Sequence, residues 1–314
     1  MLLILIFQTD AETGVPDSGK SKEAVMPFIS GKHVAVSCII ILLLSVILSC
    51  KTTPEQVIAR RLQSVQNSGE VYAVGGIEFV SIKEGQFTMG SPAGIGKKSE
   101  QPQHGVSIST FWMSNRQVTQ KQYRELMGHD IVADNSSKLG KSYPQGDNYP
   151  VFLISWDKAK AFCDKFSEKY KVIARLPYEA EWEYACRGGS ANLYHWGDDE
   201  AAADTYAWHI GNSGKTIQPV GTKKSNPYGL YDMCGNVEDW CMDWYGENYY
   251  SATPSKDPRG PESGKSRVVR GGSYLYHPKA LRSSNRGYSY PFLWSNATIG
   301  FRMVIEVPGE REKK

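Results

Sequence analysis

Residues 175–187 read RLPYEAEWEYACR, and the spacing of their apolar side chains predicts a helix over residues 179–186. A second helix is predicted over residues 157–170, where apolar side chains recur on one face. Those side chains belong to Trp156, Ala159, Phe162, Cys163 and Phe166. Two helices in a chain of this length leave most of its residues to strands and loops.

The remaining sequence consists of short apolar runs separated by turn residues. Residues 79–82 and 86–89 flank Glu84-Gly85, a pattern that predicts a β-hairpin. Beyond Arg187, Gly and Pro recur every few residues, which indicates short strands and long loops. Long loops in compact domains carry function or are pinned by ions, disulfides or aromatic packing. The predicted class is α+β, with two helices, short antiparallel strands and long ordered loops.

Composition and charge limit the possible functions. The chain has 314 residues, of which 40% are hydrophobic and 22% are charged, so it can build a core and is not a disordered polymer. Its formal net charge is only +3, and no dense Lys/Arg block is present. A nucleic-acid partner is therefore not expected.

An uninterrupted apolar run covers residues 34–48, directly after Lys32-His33. It is short for a membrane span, and a basic segment before a short apolar segment is typical of an export signal. Residues 47–50 read ILSC, which is similar to a relaxed lipobox, so Cys50 is the predicted lipidation site. A buried helix or a plain membrane anchor is the alternative. The expected location is the bacterial outer membrane or cell surface, with the protein held there by its lipid.

The N-terminal part divides into three predicted segments. Residues 1–25 are interpreted as a mis-assigned start, because Met26 begins a signal peptide of ordinary proportions. Residues 26–49 are the lipoprotein signal peptide, and residues 50–74 are a polar tether. A phosphate-loop pattern at residues 14–21 is not expected to bind nucleotide, because an export signal and not a βαβ unit follows it.

Many short blocks in a fixed order carry a resemblance to a known family. They are FTMG at 87–90, QVT at 117–119, ISW at 154–156, RLPYEAEWEYA at 175–185, WG at 196–197, PVG at 219–221, NPYGLYDM at 226–233, GNV at 235–237, DW at 239–240, RGGS at 270–273 and GFR at 300–302. The chain resembles the formylglycine-generating-enzyme (sulfatase-modifying factor) domain, a large variant of the C-type lectin fold. The resemblance implies that residues 75–307 form this domain and that residues 308–314 are a charged tail.

The resemblance also implies a chemistry that depends on two cysteines. The enzymes oxidise a substrate cysteine with a copper-binding cysteine pair that follows the Gly-Gly-Ser block. The matching positions are Tyr276 and Leu281, and no cysteine follows Cys241. Neither a phenol nor an alkyl group replaces a thiolate as a copper ligand. We therefore expect no copper and no enzyme activity.

The segment between Gly271 and Phe301 is unusually rich in aromatic residues. Tyr and Trp supply large, rigid contact area at binding surfaces, although such rings also occur in cores. The frame formed by residues 270–273, 282–286 and 299–302 is similar to the variable region of surface proteins diversified by retroelements. The resemblance implies that the ligand-binding positions are Leu275, Tyr276, His277, Tyr288, Ser289, Tyr290, Leu293 and Trp294.

Three hypotheses about function follow from these features. The leading one is a non-enzymatic lipoprotein that binds an extracellular ligand, a protein or a cell-surface molecule, through a diversified C-terminal site. An oxidase or another enzyme of the same fold is the main alternative. An envelope partner domain with an invariant surface is the third.

The family resemblance further implies a structural calcium ion. Its ligands would be Asp232, Gly235, Val237 and Asp239, a set of carboxylate and carbonyl oxygens of the kind that calcium prefers. The alternative is that the two carboxylates only cap turns.

Four cysteines lie in the predicted domain, and export would permit disulfides between them. They are Cys163, Cys186, Cys234 and Cys241. All three complete pairings remain open.

Overall fold

The computed structural model describes residues 71–306. The predicted start, the signal peptide, Cys50, the tether up to residue 70 and the tail at 308–314 lie outside these residues. Residues Tyr72–Val74 form a strand, so the last part of the predicted tether belongs to the folded domain. No helix in the described range is long and apolar enough to cross a membrane.

The described residues form eleven strands. In chain order they are β1 (Tyr72–Val74), β2 (Ile77–Ile82), β3 (Gly85–Met89), β4 (His104–Ile108), β5 (Phe111–Ser114), β6 (Ile173–Arg175), β7 (Glu238–Trp244), β8 (Arg267–Arg270), β9 (Arg286–Ser289), β10 (Ile299–Gly300) and β11 (Val304–Glu306). A five-stranded antiparallel sheet in the order β1-β2-β5-β11-β6 brings the first and last strands together. A four-stranded sheet has the order β10-β7-β8-β9, and β3 pairs with β4.

Both predicted helices are present, within one residue of their predicted bounds. The helices are α1 (Gln120–Met127), α2 (Ile131–Leu139), α3 (Trp156–Tyr170), α4 (Glu179–Arg187) and the single turn α5 (Ala203–Tyr206). Helices α1 and α2 were not predicted. The sequence does hold a signal for α1, since Thr119 and Gln122 form a capping box at its first turn.

The predicted hairpin is wrong. Strand β2 pairs with β1 and β5, whereas β3 pairs with β4 in a different sheet. Strands β3 and β4 lie against helix α4, where the ring of Phe87 is 5.3 Å from that of Tyr184. A Gly-containing turn signal marks a change of direction, and it cannot distinguish a hairpin from a change of sheet.

Two apolar clusters fill the interior. The first contains Trp112, Phe162 and Trp240, and it joins the five-stranded sheet to α3. The second contains Trp182 and Cys241, and it joins α4 to the other sheets. Because side chains alternate along a strand, β7 supplies one residue to each cluster and lies between them. The first residues of β7 therefore lie next to the C-terminal segment.

Candidate ligand-binding site

Two buried arginines hold the C-terminal strands against helix α4. Arg270 on β8 lies opposite Arg286 on β9 in the antiparallel register. Arg286 donates to both carboxylate oxygens of Glu179 at 2.7 and 2.8 Å, and Arg270 binds Glu183. Both guanidinium groups are buried. The side chains of the RLPYEAEWEYA stretch thus fix the strands that carry the predicted binding segment.

The other glutamate of this stretch is paired in the same way. Arg175 donates to both oxygens of Glu181 at 2.7 Å. Burial opposes ionisation of Glu183, but the guanidinium groups of Arg187 and Arg270 hold the pKa of its carboxyl below the usual value. Removing one partner of a buried ion pair leaves the other charge buried without a counter-ion, which costs roughly 3–5 kcal/mol. The network therefore fixes the geometry around the site.

A cavity of about 290 Å³ opens beside this network. The rings of Tyr245, Tyr276 and Tyr288 line it, together with Glu238 and Lys97. The centroids of the Tyr245 and Tyr288 rings are 4.4 Å apart. The volume lies at the lower end of the range for small-ligand pockets, roughly 300–1,000 Å³. The cavity can therefore accept a single amino-acid side chain or a group of similar size.

Glu238 opens strand β7 and contributes the buried carboxyl of the cavity. It is 5% exposed. Its carboxylate faces the hydroxyl of Thr298 at 3.1 Å and that of Tyr276 at 3.4 Å. Burial raises the pKa of Glu238 to about 7, in spite of these two hydroxyls. The cavity thus combines aromatic walls with one buried carboxyl group.

The predicted ligand-binding residues fall into separate groups. Tyr276 and Tyr288 line the cavity, the former half-buried and the latter 59% exposed. Leu275 and His277 are exposed on the loop beside Tyr276. Tyr290 is also exposed, at the end of the segment that β9 begins. Five of the eight predicted positions are therefore accessible at least in part, and two of the five line the cavity.

The last three predicted positions are less accessible. Leu293 and Trp294 are half-buried, and the ring of Trp294 is 5.7 Å from the ammonium of Lys138 on α2. Ser289 is 8% exposed and lies opposite Arg267 in the sheet. Ser289 is therefore not exposed beside Tyr288 as the prediction requires, because the last residue of β9 turns its side chain into the protein.

Glu238, Lys97 and Tyr245 are among the cavity-lining residues that sequence reasoning missed. They come from distant parts of the chain, and only the fold brings them together. The one available signal was the position of Glu238, next to the predicted metal ligands Val237 and Asp239. Sequence reasoning assigns its two neighbours to the ion loop and gives Glu238 itself no role.

The residues at the two positions that match the copper-binding cysteines lie in different environments. Tyr276 lines the cavity, whereas Leu281 is completely buried at the end of the 3-10 turn Pro278–Leu281. A Cβ atom added to Gly272 would lie 2.7 Å from Leu281 Cδ2, which shows how tightly this turn packs. No cysteine lines the cavity among the residues that the structure describes.

The four cysteines of the domain are buried and free. The sulfurs of Cys186 and Cys234 are 3.9 Å apart. This contact links the end of α4 to the loop that carries the predicted calcium ligands. The structure therefore favours this pair over the other pairings that involve Cys186 or Cys234.

The predicted calcium loop contains buried oxygen atoms that no donor satisfies. Among residues 71–306, no hydrogen-bond partner reaches Oδ1 of Asp232, Oδ1 of Asp239 or Oε1 of the neighbouring Gln117. The second oxygen of Asp239 accepts from Arg302 at 2.6 Å, and the Val237 carbonyl accepts from Gln117 at 2.6 Å. Burial raises the pKa of Asp232 to about 6.

Unsatisfied buried acceptors of this kind fit a hard cation. The two carboxylates and the neighbouring carbonyls would hold it. No group of three or more His, Cys, Asp or Glu side chains in the described range could bind a metal ion by itself. A cation in this loop would therefore depend on main-chain oxygens and water.

The fold, a C-type lectin-like arrangement of few helices and curled sheets, defines the class of this protein. The chain belongs to the sulfatase-modifying factor enzyme 1-like domain family, whose profile matches residues 71–307. It is 31% identical to the formylglycine-generating enzyme of Streptomyces coelicolor over 71% of this chain and 87% of that protein. It is 34% identical to the serine/threonine-protein kinase pkn1 of Chlamydia caviae over 72% of this chain, but spans only 37% of the kinase.

A solved structure supports the same fold. Treponema denticola variable protein 1 superposes with a TM-score of 0.66 at 29% identity, covering 75% of this chain and 98% of that one. The predicted family and fold class are thereby confirmed.

Proposed function

We propose that this chain is a non-enzymatic ligand-binding lipoprotein of the bacterial surface, with a diversified binding site in its C-terminal segment. The observation that supports this most directly is the identity of two side chains. Tyr276 lines the cavity where the resemblance implies a copper-binding cysteine, and buried Leu281 stands at the second such position. The similarity in fold to a variable protein supports the same role.

The exposed aromatic side chains supply the contact surface. Tyr276, Tyr288 and Tyr290 belong to loops or strand ends around a rigid, ion-paired frame, so a ligand meets large rings that lose little entropy on binding. The ligand is an extracellular protein or cell-surface molecule. Diversification would change these side chains without changing Arg270 and Arg286, which hold the frame.

An activity assay tests the non-enzymatic part of the proposal. The protein is loaded with copper and incubated with a cysteine-containing sulfatase peptide, with the Streptomyces coelicolor enzyme as the positive control. We expect no turnover above a blank without protein. Turnover above that blank would reverse the assignment.

The genetic part of the proposal has its own test. A gene for a reverse transcriptase should lie nearby, with a near-copy of the codons for residues 271–302. Its absence would favour an invariant surface.

An oxidase of the same fold is the second candidate, because the chain is 31% identical to a formylglycine-generating enzyme. For that candidate, some other residue would have to replace both thiolates. The copper assay decides between the two candidates directly.

A further inference from the structure

The buried glutamates of the described residues have arginine partners, with one exception. Five glutamates are buried, and four of them form ion pairs. The pairs are Glu100 with Arg282, Glu179 with Arg286, Glu181 with Arg175, and Glu183 with Arg187 and Arg270. Within the described range, no Lys, Arg or His nitrogen lies within 4 Å of the carboxylate of Glu238. A buried carboxylate without a counter-ion is costly, so its environment requires an explanation.

The two hydroxyls near Glu238 do not replace a cation. Thr298 has one hydroxyl hydrogen, and its oxygen is 2.6 Å from Asn296 Oδ1 but 3.1 Å from Glu238. Thr298 therefore donates its hydroxyl hydrogen to Asn296 Oδ1, which is the nearer acceptor. The hydroxyl of Tyr276 remains, and at 3.4 Å from either carboxylate oxygen it makes a long, weak contact. The carboxylate therefore retains free acceptor capacity.

The two cations that line the cavity are held by other acceptors. The guanidinium of Arg286 donates to both carboxylate oxygens of Glu179. Lys97 lies on the exposed side of the cavity, and its ammonium donates to the Arg286 carbonyl at 2.6 Å. Asp239, the next acidic residue along β7, is itself paired with Arg302. Lys97 therefore acts on the Glu238 carboxylate only by longer-range Coulombic attraction, and no cation of the described residues makes an ion pair with it.

Space for an incoming group exists above the carboxylate. Gly287 also lines the cavity, and a Cβ atom at that position would lie 3.2 Å from Glu238 Oε1. The glycine keeps this approach open. The rings of Tyr245, Tyr276 and Tyr288 surround the same space, and the faces of tyrosine rings attract cations. A carboxylate with aromatic walls is a suitable environment for an organic cation.

We propose that this cavity binds an alkylammonium group of the ligand, such as a lysine side chain, with Glu238 as its counter-ion. The inference rests on the proposed ligand-binding function and specifies its chemistry. The ammonium donates to the free carboxylate oxygens, while its alkyl stem packs between the tyrosine rings. The cavity volume suits one such side chain and not a larger group.

Small capped amino acids test the proposal. N-acetyl-lysine methylamide is titrated into the protein at about pH 8, where its ammonium is charged, and the tyrosine ring signals are followed by NMR. N-acetyl-norleucine methylamide, which has a similar alkyl chain without the charge, is the matched probe. We expect saturable shifts of the cavity tyrosines with the lysine compound and roughly tenfold weaker shifts with the norleucine compound.

Two variants identify the counter-ion. Glu238→Gln keeps the shape of the side chain and should weaken the lysine probe roughly tenfold or more. Glu168→Gln removes the same charge from an exposed site on α3 and should leave binding unchanged. Near-ultraviolet circular dichroism confirms that each variant is folded.

The outcomes separate this inference from the proposed function. Equal binding of both probes, or unchanged binding in Glu238→Gln, would overturn the ammonium assignment and leave a charge-independent pocket. If neither probe shifts the cavity tyrosines, the assignment also fails. The proposed function is tested separately, by the copper assay and by the gene neighbourhood.

Discussion

Replacing Trp182 by alanine should destabilise the domain severely, whereas the same change at Trp294 should cost less. Trp182 is completely buried, and its indole Nε1 donates to Asp239 at 2.9 Å. The cavity left behind costs about 3–5 kcal/mol and the lost hydrogen bond about 1 kcal/mol. Trp294 is half-buried, so its truncation loses roughly half of the 1.5–3 kcal/mol that full burial of a large apolar side chain contributes, and about 0.5–1 kcal/mol from its contact with the ammonium of Lys138.

Thermal unfolding of the purified protein measures this difference. In a domain of this size each kcal/mol shifts the melting temperature by about 2–4 °C. Trp182→Ala should therefore lower the midpoint by roughly 8–24 °C, and Trp294→Ala by roughly 3–10 °C. A matched tyrosine pair repeats the comparison, since Tyr250 is 2% exposed and Tyr288 is 59% exposed. Tyr250→Ala should resemble the first variant, and Tyr288→Ala the second.

The result that would refute this reasoning is a loss of stability at the proposed surface equal to that in the core. If Trp294→Ala and Tyr288→Ala lower the midpoint as much as Trp182→Ala and Tyr250→Ala, these rings support the fold. They could not then vary freely, and the diversified site would lose its physical basis.

The other predictions concern the ion, the cysteines and the anchor. Chelation with EDTA should lower the melting temperature by roughly 5–10 °C if calcium was near a hundredfold excess over its dissociation constant, and Asp232→Asn should abolish the effect. If EDTA still lowers the melting temperature of that variant by the full amount, the ion is bound at another site. After exposure to a disulfide oxidant, peptide mapping should find a bond between Cys186 and Cys234, whose sulfurs are 3.9 Å apart, with Cys163 still alkylatable; another linkage would contradict the geometry. Cys50→Ala should abolish palmitate labelling and release soluble protein, and continued labelling would place the lipid on another residue.

The sequence predicted the fold better than it predicted the site. Helix α4 follows from apolar spacing, but Glu179, Glu181 and Glu183 alternate with its apolar residues and would usually indicate solvent exposure. The structure buries all three, because arginines from β6, β8 and β9 reach them. No local pattern encodes a pairing between residues 179 and 286. The family resemblance implied the fold, and only the structure identifies these contacts.

The same limit explains the errors near the cavity. Alternation along a strand predicts that neighbours face opposite sides, so Ser289 could not be exposed in the same way as Tyr288. That inference needed the bounds of β9, which a loop-rich sequence does not reveal. Glu238 was overlooked for the opposite reason, since its neighbours already had an assigned role in the ion loop.

The arrangement of charges would allow a fixed frame and the proposed variable surface to coexist within about thirty residues. Arg270 and Arg286 are buried and paired with α4, so their positions depend on helix carboxylates and not on the loops between the strands. Tyr276 and Tyr288 form no part of those ion pairs: Tyr288 packs on Tyr245, whose ring lies 5.0 Å from the Arg286 guanidinium, and Tyr276 contacts the unpaired Glu238. A substitution at either tyrosine changes the cavity wall without breaking a buried ion pair, which would cost roughly 3–5 kcal/mol. In the proposed diversified site, Glu238 would therefore stay constant while the tyrosine walls of the cavity are replaced. Variants would then all bind an ammonium group, and they would differ in which ammonium-bearing partner they accept.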